Sequence, residues 1–199
     1  MENVSKNNKL QAKDLIQVGI FSAIYIIVTM AVSIPLGMIP FLYPVLIVVT
    51  PMIAGIPFML FLTRVKKFGM VWILATLFGL FLMLTGHSIW TLPVYIVVGL
   101  LCELLLKSGK YSSVKKSILT CGIFSTASFS IYLLFFLTRD SYFEMIASHY
   151  GQEYADILMR FVPEWSLIPI VFASFLGGIL GGLLGRGVLK KHFEKAGIA

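Results

Sequence analysis

Charge is what this chain has least of. Aspartate and glutamate number nine in 199 residues, charged residues of either sign make up 13%, and the mean hydropathy is +0.93. So little polar surface cannot cover a water-soluble core of this length, which excludes an ordinary soluble domain. Cysteine is nearly as scarce: Cys102 and Cys121 match no metal-binding spacing, and both are expected to stay reduced beside a lysine-rich cytoplasmic loop. No H-E-x-x-H, G-x-x-x-x-G-K-[ST] or G-x-S-x-G sequence occurs, so a metalloprotease site, a phosphate loop and a hydrolase elbow are all missing. The net charge of +7 does not point to nucleic acid, because the basic residues sit in short clusters at the ends of apolar runs.

What the chain has is apolar runs near the roughly 20 residues that cross a bilayer as a helix. They predict a single all-α membrane domain over 1–199 with six transmembrane helices, at about 14–33, 43–62, 68–84, 89–106, 116–137 and 166–189. The first run is longer than a signal core and lacks a small-x-small cleavage site, so it is expected to remain as a span. A turn with Pro35, Gly37 and Pro40 is expected to end it. Pro51, Gly55 and Pro57 predict a kink in the second. Fourteen of the sixteen basic residues fall in the N-terminal tail (Lys6, Lys9, Lys13), the second and fourth loops and the C-terminal tail, which includes Lys195 and His192. That asymmetry places both termini in the cytoplasm and loops 1, 3 and 5 outside.

The segment 138–165 is the one long polar stretch between the spans, with five of the nine acids and only Arg139 and Arg160 as basic residues. Tyr142, Met145, Ile146 and His149 recur at helical spacing, and Tyr154, Ile157, Leu158 and Phe161 repeat the pattern after Gly151. Two short amphipathic helices are predicted, either covering a cavity or resting on lipid headgroups. Glu103, the one acid well inside a predicted span, has Lys107 four residues on, which predicts an ion pair. Small residues recur every fourth position in the last span, at Ala173, Gly177, Gly181 and Gly185, and more briefly at Gly19 and Ala23 in the first. Such rows let helix backbones approach closely, within the monomer or against another membrane protein.

The N-terminal Lys9–Ile16 stretch, the run Gly19–Tyr25, the six spans and the glycine-rich last helix together resemble the S component of an energy-coupling factor (ECF) transporter, of the MptD-like or Trep-Strep branch. The resemblance implies a substrate-binding subunit of an importer in the bacterial cell membrane. It would capture a nutrient outside and deliver it to a T component driven by two ATP-binding subunits, so the chain itself is expected not to be an enzyme. It also implies docking through small residues of the first helix, here Gly19 and Ala23, with Gly177, Gly181 and Gly185 as a second candidate face.

The same resemblance places the ligand site at the outer helix ends. Candidates there are Met38, Phe41, Tyr43, His87, Ser88, Trp90, Tyr142, Met145, His149, Tyr150, Tyr154 and Arg160, an aromatic and sulfur-rich set. Haem is the favoured transported ligand, with His87 and His149 as axial ligands of the iron and Arg139 and Arg160 pairing with propionates; no cofactor of the protein's own is implied. The alternative ligand is a water-soluble vitamin or precursor, stacked on Trp90 and the tyrosines with Ser88 and Glu164 as polar contacts. A non-transport role as an assembly or channel subunit stands as a second alternative.

Overall fold

The computed structural model describes residues 9–195, with side chains through Lys191; Lys6 and the side chains of His192 and Lys195 lie outside the described residues. Among the described residues there is no strand. The chain forms α1 (Ala12–Gly37), α2 (Tyr43–Arg64), α3 (Met70–Leu84), α4 (Thr91–Ser108), α5 (Val114–Thr126), α6 (Phe129–Tyr132), α7 (Leu134–Leu137), α8 (Arg139–Tyr150), α9 (Gln152–Phe161) and α10 (Leu167–Lys195). Among the described residues four helices are long and apolar enough to cross a membrane: Ala12–Gly37, the stretch Pro40–Arg64, Thr91–Ser108 and the stretch Glu164–Lys191.

The other two expected crossings differ from plain spanning helices. At about 1.5 Å per residue, the 15 residues of α3 reach about 22 Å, short of a hydrocarbon core about 30 Å thick. The fifth apolar run is not one helix. After Thr126 its hydrogen bonds shorten from four residues to three, from Ala127 N–H to Phe124, Ser128 to Ser125, Ser130 to Ala127 and Ile131 to Ser128. This stretch of 3₁₀ turns separates α5 from α6 and α7. The cause is local: the hydroxyls of Ser125, Thr126 and Ser130 compete for backbone carbonyls, donating to those of Cys121 (2.8 Å), Ile123 (2.7 Å) and Ala127 (2.6 Å).

Helix α1 outruns its prediction at both ends. Asp14 accepts the Gln11 N–H at 2.8 Å and Lys67 Nζ at 2.7 Å, fixing the start of the helix to the loop after α2. At the far end Pro35 does not stop the helix. It removes one donor, yet Met38 N–H still reaches the Ile34 carbonyl at 3.1 Å and a 3₁₀ turn at Pro40–Leu42 follows. The helix α2 likewise runs unbroken through Pro51 and Pro57.

Two apolar clusters hold the helices. In the first, rings from α1 to α5 interlock: Phe58 stacks on Phe124 at 4.4 Å, and Tyr25 meets Phe78 edge-on at 4.9 Å. In the second, Leu46 and Ile47 of α2, Tyr132, Phe135 of α7 and Ile170 of α10 receive Phe143 and Ile146 of α8 and Ala155 and Leu158 of α9.

The glycine row of α10 is spent inside the molecule. A Cβ at Gly177 would stand 2.5 Å from the Val48 carbonyl oxygen, one at Gly181 2.6 Å from that of Met52, and one at Gly185 2.7 Å from Met59 Cβ. Gly178 and Gly182 press on Cys121 of α5 in the same way. The second docking face expected at Gly177, Gly181 and Gly185 is therefore occupied by α2, whose own Gly55 permits the approach. Gly19 has nothing within 4 Å of a built Cβ, and both Gly19 and Ala23 are exposed on the side of α1 opposite Val18, Ser22 and Tyr25.

Glu103 corrects a second expectation. Its carboxylate is fully buried and accepts the N–H groups of Val71 (2.9 Å) and Trp72 (3.1 Å) and the hydroxyl of Tyr111 (3.0 Å). Those N–H groups belong to the first turn of α3 and have no partner within their own helix, so Glu103 caps α3 from α4. Lys107 lies over the Phe68 ring instead, 5.3 Å from its centroid. Lys110 and Tyr111 both take left-handed backbone angles (φ 52° and 55°), a conformation that costs about 1–2 kcal/mol per residue and turns the chain so that the Tyr111 hydroxyl reaches Glu103.

Candidate binding cavity

A cavity of about 370 Å³ lies between the two apolar clusters and draws its walls from both. Tyr25, Phe78, Leu82 and Tyr95 of the first cluster meet Leu46, Ile47, Tyr132 and Phe135 of the second around it. Helices α8 and α9 close one side through Tyr142, Ile146, Tyr150, Tyr154 and Leu158. α1 contributes Thr29, Ser33 and, at its C-terminal end, Gly37 and Met38.

The position of α8 and α9 follows from three attachments. The Tyr154 hydroxyl donates to the Gly37 carbonyl, joining α9 to the end of α1. Tyr150 and Tyr154 stack with centroids 5.1 Å apart. Arg139 donates to the Val162 carbonyl at 2.8 Å and to those of Phe135 and Met159 at 3.3 and 3.4 Å, while its guanidinium lies over the Phe143 ring at 5.0 Å. Carbonyls at the C-terminal ends of α7 and α9 are thereby satisfied by one cation, which suits the negative end of a helix.

The two short helices exist as predicted, but turned. The face of α8 directed inward is Tyr142, Phe143, Ile146 and Ala147, because Phe143 stacks on Phe135 at 5.5 Å and fixes the rotation. Met145 and His149 consequently point out. In α9 the buried positions are Ala155 and Leu158, with Val162 just beyond the helix and Phe161 exposed. The separation of apolar and polar residues is much sharper in α9 than in α8, whose exposed side also carries Met145.

Of the residues singled out in the sequence, Met38, Tyr43, His87, Tyr142, Tyr150 and Tyr154 line the cavity. The others do not. Ser88 is buried in the turn before α4, its hydroxyl accepting the Trp90 N–H at 3.2 Å, and Trp90 is exposed. Phe41 is exposed and meets Phe161 edge-on at 6.3 Å. Met145 and Arg160 are exposed, and Arg139 is engaged by carbonyls. His149 is exposed, with Nδ1 2.8 Å from the Met145 carbonyl oxygen and 3.1 Å from Ser148 Oγ. The expected pair of axial histidines is therefore not assembled: His87 is on the wall and His149 is not. Among the described residues no group of three or more His, Cys, Asp or Glu could hold a metal ion.

His87 sits in the α3–α4 loop beside Gly86, whose φ of +87° only glycine adopts freely, and its Nδ1 is 3.1 Å from Thr85 Oγ1. Burial pushes its pKa below the usual histidine value, against an opposing hydrogen bond to the Leu82 backbone, so the neutral ring is favoured. Burial raises the pKa values of Tyr142 and Tyr154, which stay protonated donors.

The residues that sequence reasoning missed come from inside the apolar runs: Tyr25, Thr29, Ser33, Thr50, Tyr95, Ser125, Ser128 and Tyr132. Their signal is a polar atom where hydrocarbon would surround it, and such residues face a bundle interior or a cavity. The 3₁₀ stretch does the rest. With three residues per turn, Ser125, Ser128 and Ile131 fall in one row, and all three line the cavity.

No curated protein and no solved structure matches the chain. A family model described as a hypothetical bacterial integral membrane protein (Trep_Strep) matches residues 12–195, which is nearly the whole chain and includes every element around the cavity. The protein belongs to the Trep_Strep family of bacterial integral membrane proteins.

Proposed function

We propose that this chain is the substrate-binding S component of an ECF-type importer, capturing a nutrient in the cavity beneath α8 and α9. It passes the solute to a T component energised by two ATP-binding subunits. The observation that carries the reading is the cavity itself: walled by two clusters and partly covered by two short helices, one of which is tied to α1 by the contact between Tyr154 and Gly37. In this reading the chain crosses the membrane six times, with the short α3 and the broken α5–α7 run as the third and fifth crossings. Non-helical backbone at membrane depth is tolerated where it lines a cavity, and Ser125, Ser128 and Ile131 do so. In the same reading both termini are cytoplasmic and α8 and α9 lie outside, which the fourteen-to-two distribution of basic residues supports. Docking falls to α1, whose Gly19 and Ala23 are exposed and uncrowded.

The ligand that fits best is a compact ring-bearing nutrient of the vitamin or vitamin-precursor kind. Haem is the second reading, and it rests on His87 alone as an axial ligand from the cavity wall. Purification of the tagged chain from its native membranes tests the transport role. A T component and two ATPases should co-purify, and the isolated membranes should accumulate solute only with ATP. A chain that purifies from native membranes without an ATP-binding partner would refute it.

A further inference from the structure

We infer that the cavity selects an uncharged ring compound bearing N–H or O–H donors on its edge, and that it rejects analogues carrying a carboxylate or phosphate. This rests on the reading of the cavity as the solute site. Charge comes first. Among the described residues none that lines the cavity is Asp, Glu, Lys or Arg, and the cation on α8, Arg139, is held by three carbonyls and the Phe143 ring. An anion entering such a space would lose its hydration without gaining a counter-charge, which costs far more than burying a neutral polar group.

The hydroxyls add a direction to the selection. Ser125 Oγ donates its proton to the Cys121 carbonyl at 2.8 Å, Ser33 Oγ to the Thr29 carbonyl at 2.7 Å, and Ser128 Oγ to Ser174 Oγ at 3.0 Å. A hydroxyl whose proton is committed keeps its oxygen lone pairs for a second partner. Three wall residues from two directions, α1 and the α5–α6 run, thus offer acceptors and not donors. The Oγ1 of Thr29, on the same wall, is buried without a hydrogen-bond partner among the described residues and can either accept from or donate to a polar guest. Ligand N–H or O–H groups find acceptors at these three serines, while a carboxylate, although the wall tyrosines could donate to it, still meets no cation to offset its charge.

The rings set the shape. Tyr25, Tyr95 and Tyr132 enter the cavity from α1, α4 and α6, each also engaged in edge or stacked ring contacts that hold it in place. Their fixed faces and edges favour a planar guest. At about 370 Å³ the space lies at the lower end of the roughly 300–1,000 Å³ of small-molecule sites, so the guest is compact.

The test uses the full-length chain in detergent and matched probes that differ in charge: nicotinamide with nicotinate, indole with indole-3-carboxylate, and pyridoxine with pyridoxal 5′-phosphate. Thermal unfolding is followed across a titration of each, since a ligand that binds the folded state raises the midpoint by mass action. At least one neutral member should raise the midpoint with an apparent affinity at least tenfold tighter than that of its charged partner. Ile131→Trp, which fills the cavity, should abolish the effect. Thr50→Val, which removes a wall hydroxyl with little change in volume, should weaken it severalfold, so the result does not depend on one variant folding. A charged member that equals or exceeds its neutral partner overturns the inference, and so does a panel in which no neutral member acts. Failure of the transport reading looks different: neutral probes would bind as stated while no ATP-binding partner co-purifies.

Discussion

Replacing Glu103 by alanine strands three donors at once. The Val71 and Trp72 N–H groups, at 2.9 and 3.1 Å from Oε2, lie in the first turn of α3 and have no carbonyl of their own helix to turn to. Leaving a buried donor without an acceptor costs about 1–3 kcal/mol, so the two together account for about 2–6 kcal/mol. The Tyr111 hydroxyl, 3.0 Å from Oε1, loses its acceptor as well, and with it the reason for the left-handed turn at Lys110 and Tyr111. A chain of this size shifts its melting midpoint by roughly 2–4 °C per kcal/mol, so Glu103→Ala should lower it by at least about 4 °C in a heating series read by size-exclusion chromatography. Glu103→Gln keeps an amide oxygen as acceptor and should recover a substantial part of the loss. Lys107→Ala should cost no more than about 0.5 kcal/mol, as substitutions away from buried networks do. If Glu103→Ala and Lys107→Ala lower the midpoint equally, the carboxylate acts as half of an ion pair and the capping account is wrong.

Gly181→Ala places a methyl 2.6 Å from the Met52 carbonyl oxygen and 2.7 Å from that of Pro51, both fixed in helix α2, and should destabilise the chain by about 1–3 kcal/mol in the same heating series. Gly19→Ala meets nothing within 4 Å and should hold or raise stability by up to about 1 kcal/mol through helix propensity, so the opposite ranking would contradict the packing described. Added to the purified protein, hemin should give a Soret band that neither His87→Ala nor His149→Ala alters. A shift that depends on His87 alone would restore haem as the ligand, and one that depends on His149 would require α8 to rotate from the position fixed by Phe143.

The segment from 138 to 165 shows where pattern reading succeeds and where it slips. Gly151 and the recurring apolar residues announce two short helices, and two are there. The inward face of each lies about one residue from the one its spacing suggests, because spacing does not separate Met145 and His149 from Phe143, and contact with Phe135 does. Half of the outer-side candidates reach the cavity for the same reason: topology orders residues along the membrane normal but does not say which way a side chain turns.

By itself the sequence determined the membrane class, the helical content, the main helix positions and the small-residue row of α10, since each depends on composition or on periodicity within one segment. The tertiary structure decided what those features are for. Gly177, Gly181 and Gly185 belong to α2 because the surface of a helix does not name its partner. Glu103 belongs to α3 because an unpaired helix terminus 31 and 32 residues away is a stronger attractor than a lysine one turn on. The cavity exists because tyrosines and hydroxyls scattered over α1, α2, α4 and the broken α5–α7 run converge only when two apolar clusters pack on either side of them.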